Sequence, residues 1–573
     1  MKFNNYIYSI LFVTTSIFST SCQDMFSPEV DNVQGEEFFI TNPAATALFL
    51  NAGYVLLPTT YDFSECATDD AVINNPTSGF LPMVGGAWSS TFDPLSVWSN
   101  SYTAIANLNK FLTYSLKMSW TSAVDDSLYK KRMTAEAHGL RAYHHFLLLR
   151  YYGGVGTSGK LLGVPYLTSM KDLDQSAWIN IERPDYKSTV DSIVKDLDFA
   201  IKNLPEVYVG TDRALGVRNK NRLTSWIALA MKAELYMHAA SPKYNGGVYN
   251  VAYCDSAIKY SGKLIDHIGG INAMADVLKI NQFYTNDENE FVPEILWRLD
   301  QTSEATSAGS MSQTIESKNY PPSLSGNGQV NPTQDFVDAF PALNGYPITD
   351  ILKSGYVAAT PYLKRDIRLD LCVIRDGGTL NGTIINTSKD KVKDGIENQG
   401  ATRTGYYLKK LLRPDFSITN PMAGKKTIRP FIRYTELYLI FAEAATAAYG
   451  ADWKGGSYTY SARDAIKAIR KRAGITNRDV YATSLTADLF MDLVRNERRI
   501  ELAFEGFRFV DLRRWGLETN VTLHRARILV AGGTPTILPI DDEPRNFTTF
   551  KYFAPIPNSE ILKCPKLEQN ASN

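Results

Sequence analysis

Leu493, Ile500, Phe504 and Phe507 recur at helical spacing and predict one helix from about Val494 to a tight exit at Trp515-Gly516, with Gly506 late in it. Glu497 falls on this apolar stripe, while Arg498, Glu501, Glu505 and Arg508 stand three or four residues apart. A carboxylate on an apolar face is costly to bury unless it is paired. Two readings follow: an ion-pair lattice that fixes a central helix, or a pair of carboxylates for acid/base chemistry. The surrounding arginines favour ionised, structural carboxylates.

Elsewhere the helical period comes in pairs. Asn42-Pro43 opens a short helix to about Tyr54. Asp93-Pro94 opens one to about Lys117, with Trp98, Tyr102, Ile105 and Leu108 in phase, and Ser127 to Tyr152 makes its partner. A second pair runs from Arg183-Pro184 to Leu204 and from Thr224 to Ala240, where small alanines face large aromatics. That is the packing of helix-pair solenoids of tetratricopeptide type. Arg433 to Tyr449 and Ser461 to Ala473 return to helix before the segment at 494–516. His138, His144 and His145 share one helix without an acidic cluster and read as core histidines rather than ligands.

Two regions break this pattern. From Leu56 to Thr91 the chain carries Tyr61, Phe63, Asp69, Asp70, paired asparagines and Gly85-Gly86 before Trp88, all on irregular backbone. From Phe283 to Thr427 it is again irregular and partly β, with a strand around Trp297 and a Ser/Gly/Pro/Asn-rich stretch holding Tyr320. Aromatics on supported loops can stack on the C–H face of a sugar while carboxylates accept from its hydroxyls. Trp88 leads the candidate ligand contacts, with Tyr61, Asp69, Asp70 and Tyr320 beside it. The alternative is that Trp88 plugs its loop against the core. Trp98 is a fallback whose helical phase argues for the core. Asn286 to Glu290 offers oxygens for calcium but lacks the glycine and spacing of a calcium loop. No cofactor is expected, and no catalytic constellation stands out.

Composition narrows the classes. Lysine plus arginine and aspartate plus glutamate both total 60, so no global field steers the chain to nucleic acid. Aromatic residues make up 12% of the 573, with 32 tyrosines, which suits surfaces needing an apolar face and a polar tip. Residues 1–21 read as a signal peptide: Lys2, then a short apolar run from Ile7 to Phe18. Ser19-Thr20-Ser21-Cys22 resembles a lipobox, making Cys22 the acylated residue, followed by a polar tether over 22–40. No later apolar run is long enough to span a membrane. Cys66, Cys254, Cys372 and Cys564 can pair in three ways; their wide separation favours buried thiols.

The segment NERRIELAFEGFRFVDLRRW closely resembles the signature of the SusD/RagB family of nutrient-binding lipoproteins. So do AEAHGLRAYHHFLLLRYYGG followed by Val164-Pro165-Tyr166, NPTQDFVDAF followed by NGYPI, and the closing APIPNSEILKCPKLEQN. The resemblance implies a mainly α fold, a superhelix of four helix pairs with a loop-rich, partly β ligand-binding region. It implies one unit over 41–573, with an N-terminal part to about 275, an insert over about 276–430 and a C-terminal helical part from about 431. It further implies a lipid-anchored protein of the outer membrane, facing the cell surface, that binds oligosaccharide and passes it to a SusC-like TonB-dependent transporter. The RagB branch implies peptide as the alternative ligand. A secreted glycoside hydrolase using Glu497 and Glu501 is the reading from outside the family.

Overall fold

The computed structural model describes residues 34–118, 123–173, 175–273, 294–303, 315–388, 392–396, 398, 400–419, 425–475, 478–531, 534–547 and 550–572. Residues 1–21, Cys22 and Asn286 to Glu290 lie outside the described residues.

The scaffold is a run of helices, each packed on the next. They are α1 (Pro43–Val55), α2 (Trp98–Ser115), α3 (Ala123–Tyr152), α4 (Tyr186–Asn203), α5 (Ser225–Ala240) and α6 (Val251–His267). Local sequence sets their starts. The Asn42 side chain accepts from the Ala45 amide at 3.1 Å with Pro43 at the first helical position. Asp185, Thr224 and Asn250 cap α4, α5 and α6 in the same way. The expected start at Asp93 moves to Trp98, because the Asp93 carboxylate is taken up by the Leu95 amide and the Trp88 indole N–H.

The run continues with α7 (Tyr434–Tyr449), which packs directly on α6. The whole loop-rich insert is therefore looped out between two neighbouring helices. α8 (Ala462–Arg472), α9 (Ala487–Glu501) and α10 (Arg508–Trp515) complete the helical part, α8 starting from a Ser461–Asp464 capping box. The large core cluster is built almost wholly from α1 to α9.

Among the described residues the strands make only two-stranded antiparallel ribbons. β1 (Ala71–Ile73) pairs with β3 (Val330–Pro332), placing Val72 opposite Asn331. β2 (Ile295–Ser303) pairs with β4 (Lys425–Arg433), and Trp297 of β2 packs on Phe431 with ring centroids 4.7 Å apart. β5 (Thr522–Ala531) and β6 (Thr534–Pro544) form a hairpin. Prolines at 535, 539 and 544 interrupt any alternation that would announce it.

The single helix expected over 494–516 is in fact two. α9 ends at Glu501, and the chain turns through Phe504 at φ 62° and Gly506 at φ 89° before α10 begins. Phe504 leaves the helical stripe and drops its ring onto Phe336, 5.2 Å away in an edge-on contact. The left-handed region is one that glycine enters freely and phenylalanine only at a cost; here the Phe504 ring is fully buried in a second apolar cluster.

His144 and His145 are core histidines. The first faces the Gly53 carbonyl at 3.0 Å. The second lies between the Arg141 carbonyl at 2.9 Å and the Leu167 amide at 3.1 Å, an arrangement that requires a neutral ring. Burial lowers their pKa values to about 4 and about 3. Cys254, Cys372 and Cys564 are buried thiols, and none of the four described cysteines forms a disulfide.

Candidate functional site

The two irregular regions meet. β1–β3 joins the 61–92 loop to the segment after Tyr320, and the Asn74 side-chain amide donates to the Ala401 carbonyl at 2.8 Å. Arg403 donates to the Ile73 carbonyl at 3.1 Å, and Thr333 caps its short helix while donating to Asp69 O at 2.6 Å. One surface thus forms over the second apolar cluster.

A buried lattice of charges lies beneath it. Glu497 accepts from Arg368 at 2.9 Å and from Arg470 at 2.6 Å. Glu501 accepts from Arg368 at 3.0 Å and is ringed by Arg433 and Arg472. Glu505 takes Lys410 at 2.7 Å and both sides of the Arg433 fork at 2.9 Å. Burial alone would raise Glu501, but Arg472, Arg433 and Arg368 outweigh it and hold its carboxyl well below the usual range. A general acid must carry a proton near working pH, so Glu501 is not equipped for that role. Both carboxylates are spoken for by arginines.

The lattice grips the loops. Asp69 receives the Arg508 fork at 2.9 and 2.8 Å, Asp70 receives Arg499 at 2.6 Å, and the Gly506 amide donates to Glu65 at 2.9 Å. On the insert side, Arg368 is held by Asp366 at 2.7 Å. The segment linking α9 to α10 is therefore a clamp, pinning the 61–70 loop and the 366–413 stretch from below.

Most of the candidate contacts expected from sequence turn inward. Trp88 is only 2% exposed. Its N–H donates to Asp93 at 3.0 Å, and its ring sits among Phe509, Phe547 and the Arg513 guanidinium. It plugs the loop, and no open indole face is presented to a ligand. Tyr320 is 1% exposed, with its hydroxyl donating to the Arg413 and Phe416 carbonyls. Asp70 is fully buried and Asp69 half-buried, both committed to arginines rather than open to sugar hydroxyls. Trp98 is a core residue against Tyr102 and Tyr152. Tyr61, like Asp69, stays half-buried, with the Arg429 guanidinium 4.9 Å from its ring.

The aromatic rim of the surface comes from other residues. Phe63, Phe80 and Tyr362 join Tyr61 as half-buried rings packed on the second cluster. Phe63 stands at φ 51°, a left-handed position for a bulky residue. The Asp62 side chain braces it, accepting from the Ser64 amide at 2.8 Å. Tyr362 lies under the Arg375 guanidinium at 4.8 Å, and its hydroxyl meets that of Tyr406 at 3.1 Å. Nothing in the local pattern marks Tyr362; only its neighbours in space do. Among the described residues no cluster of His, Cys, Asp or Glu is placed to hold a metal, and no helix is long and apolar enough to cross a membrane.

Comparison with known proteins agrees at both ends of the chain. Residues 293–572 match the family model described as "SusD family", and residues 58–237 match "Starch-binding associating with outer membrane". A SusD-like protein, P25, of Formosa agariphila is 23% identical over 438 residues, covering 74% of this chain and 70% of its own. A SusD-like protein of Bacteroides fragilis superposes with a TM-score of 0.73 at 23% identity, covering 94% of this chain and 98% of that one. A second B. fragilis structure, described as a SusD-like carbohydrate-binding protein, gives 0.72 at 20% identity over 92% and 99%.

Proposed function

The chain belongs to the SusD-like family, and on that premise we propose that it is a lipid-anchored binding protein of the outer membrane. It captures an oligosaccharide on the loop surface and passes it to a partner TonB-dependent transporter. Cys22 carries the acyl chains, and residues 22–40 tether the fold to the membrane.

The observation that carries this reading is the clamp. A dense set of buried ion pairs, Arg368–Glu497, Arg499–Asp70 and Arg508–Asp69 among them, holds irregular loops in one shape rather than serving a reaction. Rigid loops with half-exposed rings suit recognition, because less ordering entropy is lost on binding. Tyr61, Phe63, Phe80 and Tyr362 offer the stacking faces.

The test is a glycan array beside a peptide library, run on Cys22→Ala protein freed from the membrane. Wild type is expected in the membrane fraction and the variant in the soluble one. An oligosaccharide hit that Tyr61→Ala and Tyr362→Ala each weaken supports the reading. A peptide hit with the same sensitivity moves the ligand class to peptide, and hits that both variants leave unchanged remove the site from this surface. Transporter delivery is tested by co-purification with a TonB-dependent channel from membranes.

A further inference from the structure

On the helical part of the chain lies a polar cleft of about 450 Å³. It is bounded by the outer side of α8, by the 454–460 loop before it and by the turn after α6. A volume of this size falls within the range of small-ligand sites. Lys454, Lys467 and Lys471 line it, with Asp464 and Asp479 as the acidic groups.

The acids are already engaged. Asp479 gives both oxygens to Arg470, at 2.6 and 3.2 Å. Asp464 closes the capping box with Ser461 and takes Lys454 at 3.0 Å. Lys467 reaches only a neutral partner, the Thr483 hydroxyl at 3.2 Å, and Lys471 is exposed, with no acidic group within 4 Å among the described residues. Two ammonium groups spaced four residues apart on one helix side therefore face the cleft without counter-charge.

The lysine at the C-terminal end of α8 also complements the helix dipole. That accounts for Lys471 but not for Lys467, a turn earlier. Asn272 and Thr459, also in the lining, offer neutral donors and acceptors of the kind that match hydroxyls, which favours a saccharide over a bare phosphate.

We propose that this cleft is a second binding site, taking an acidic saccharide whose carboxylates pair with Lys467 and Lys471. It is separate from the loop surface, so either site can fail without the other.

The experiment is calorimetric titration of the full chain, with Cys22→Ala for solubility, using oligogalacturonate and its methyl-esterified form. The acid form is expected to bind in a salt-sensitive way, and the ester to bind much more weakly. The double variant Lys467→Glu/Lys471→Glu lies on an exposed helix side and should fold normally; it is expected to lose about tenfold or more in affinity. Tyr61→Ala and Tyr362→Ala should leave binding of the same ligand unchanged. Equal binding of acid and ester, no binding of either, or indifference to charge reversal would overturn the proposal. If the loop-surface variants alone abolish binding, the ligand belongs to the first site.

Discussion

Arg368 and Glu497 stand 129 positions apart in the chain and meet at 2.9 Å with both side chains at most 1% exposed. The first belongs to the looped-out insert and the second to α9. The same guanidinium reaches Glu501 at 3.0 Å and Asp366 at 2.7 Å, so one arginine ties the insert to the helical core. The insert is thus anchored to the helical core by charge as well as by the apolar residues it buries.

Replacing Glu497 with Gln should show what this anchoring contributes. The change keeps the shape but leaves Arg368 and Arg470 short of a buried counter-charge, which costs about 3–5 kcal/mol when one partner of a buried pair is removed. Urea unfolding is expected to show that loss. Glycan affinity of the folded fraction should hold. A variant that unfolds like wild type yet no longer binds would make this carboxylate part of the binding site.

Trp88→Ala is expected to behave as a core deletion. Removing a buried aromatic costs about 3–5 kcal/mol, and Phe509 and Phe547 would lose their central neighbour. The melting temperature should drop sharply. Unchanged stability with lost affinity would return the indole to the ligand.

These two residues show what the chain's pattern does and does not make legible. The helices are legible because their signals are local: Asn42-Pro43, Asp185, Thr224 and the Ser461–Asp464 box act within a few residues of themselves. The lattice is foreshadowed too, since a carboxylate on an apolar stripe amid arginines needs partners. Which partners is another matter. Arg368 and Arg470 lie on other elements, and no spacing rule points to them. Trp88 between glycines and serines looks exposed because its cover, Phe509 and Phe547, arrives from the far end of the sequence. The break after Glu501 hides for a similar reason: Phe504 fits the helical period but is drawn out of it by Phe336.

A pH dependence follows from Glu65. Burial first, then the Asp62 charge, raises its pKa from 4.5 to about 8, so the folded protein keeps this carboxyl neutral. Its second oxygen has no hydrogen-bond partner among the described residues. In the unfolded chain the group ionises near its ordinary value. The stability it contributes is therefore fully present below pH 4.5 and is lost as pH rises through about 8. Glu65→Gln removes this proton linkage. Measured by thermal melts from pH 5 to 9, the variant should gain on wild type steadily as pH rises, and parallel curves would refute the assignment.

The clamp itself can be loosened without removing its charge. Arg508 holds Asp69 through two parallel hydrogen bonds, at 2.9 and 2.8 Å, and this fork fixes the loop that carries Tyr61 and Phe63. Lysine keeps the positive charge but presents it as a single point on a flexible stem, so the bidentate geometry is lost. Asp69 is half-buried, which limits the stability cost to about 1 kcal/mol, the scale of one hydrogen bond. Binding should suffer differently. If the loop is shaped in advance for its ligand, a looser loop has to be ordered on binding, at about 0.5–1.5 kcal/mol per immobilised side chain. Arg508→Lys is then expected to weaken glycan binding several-fold. Calorimetry should assign the loss to a less favourable entropy, with the enthalpy little changed because the contacts are the same. Affinity equal to wild type at reduced stability would mean that the loop above the clamp does not touch the ligand.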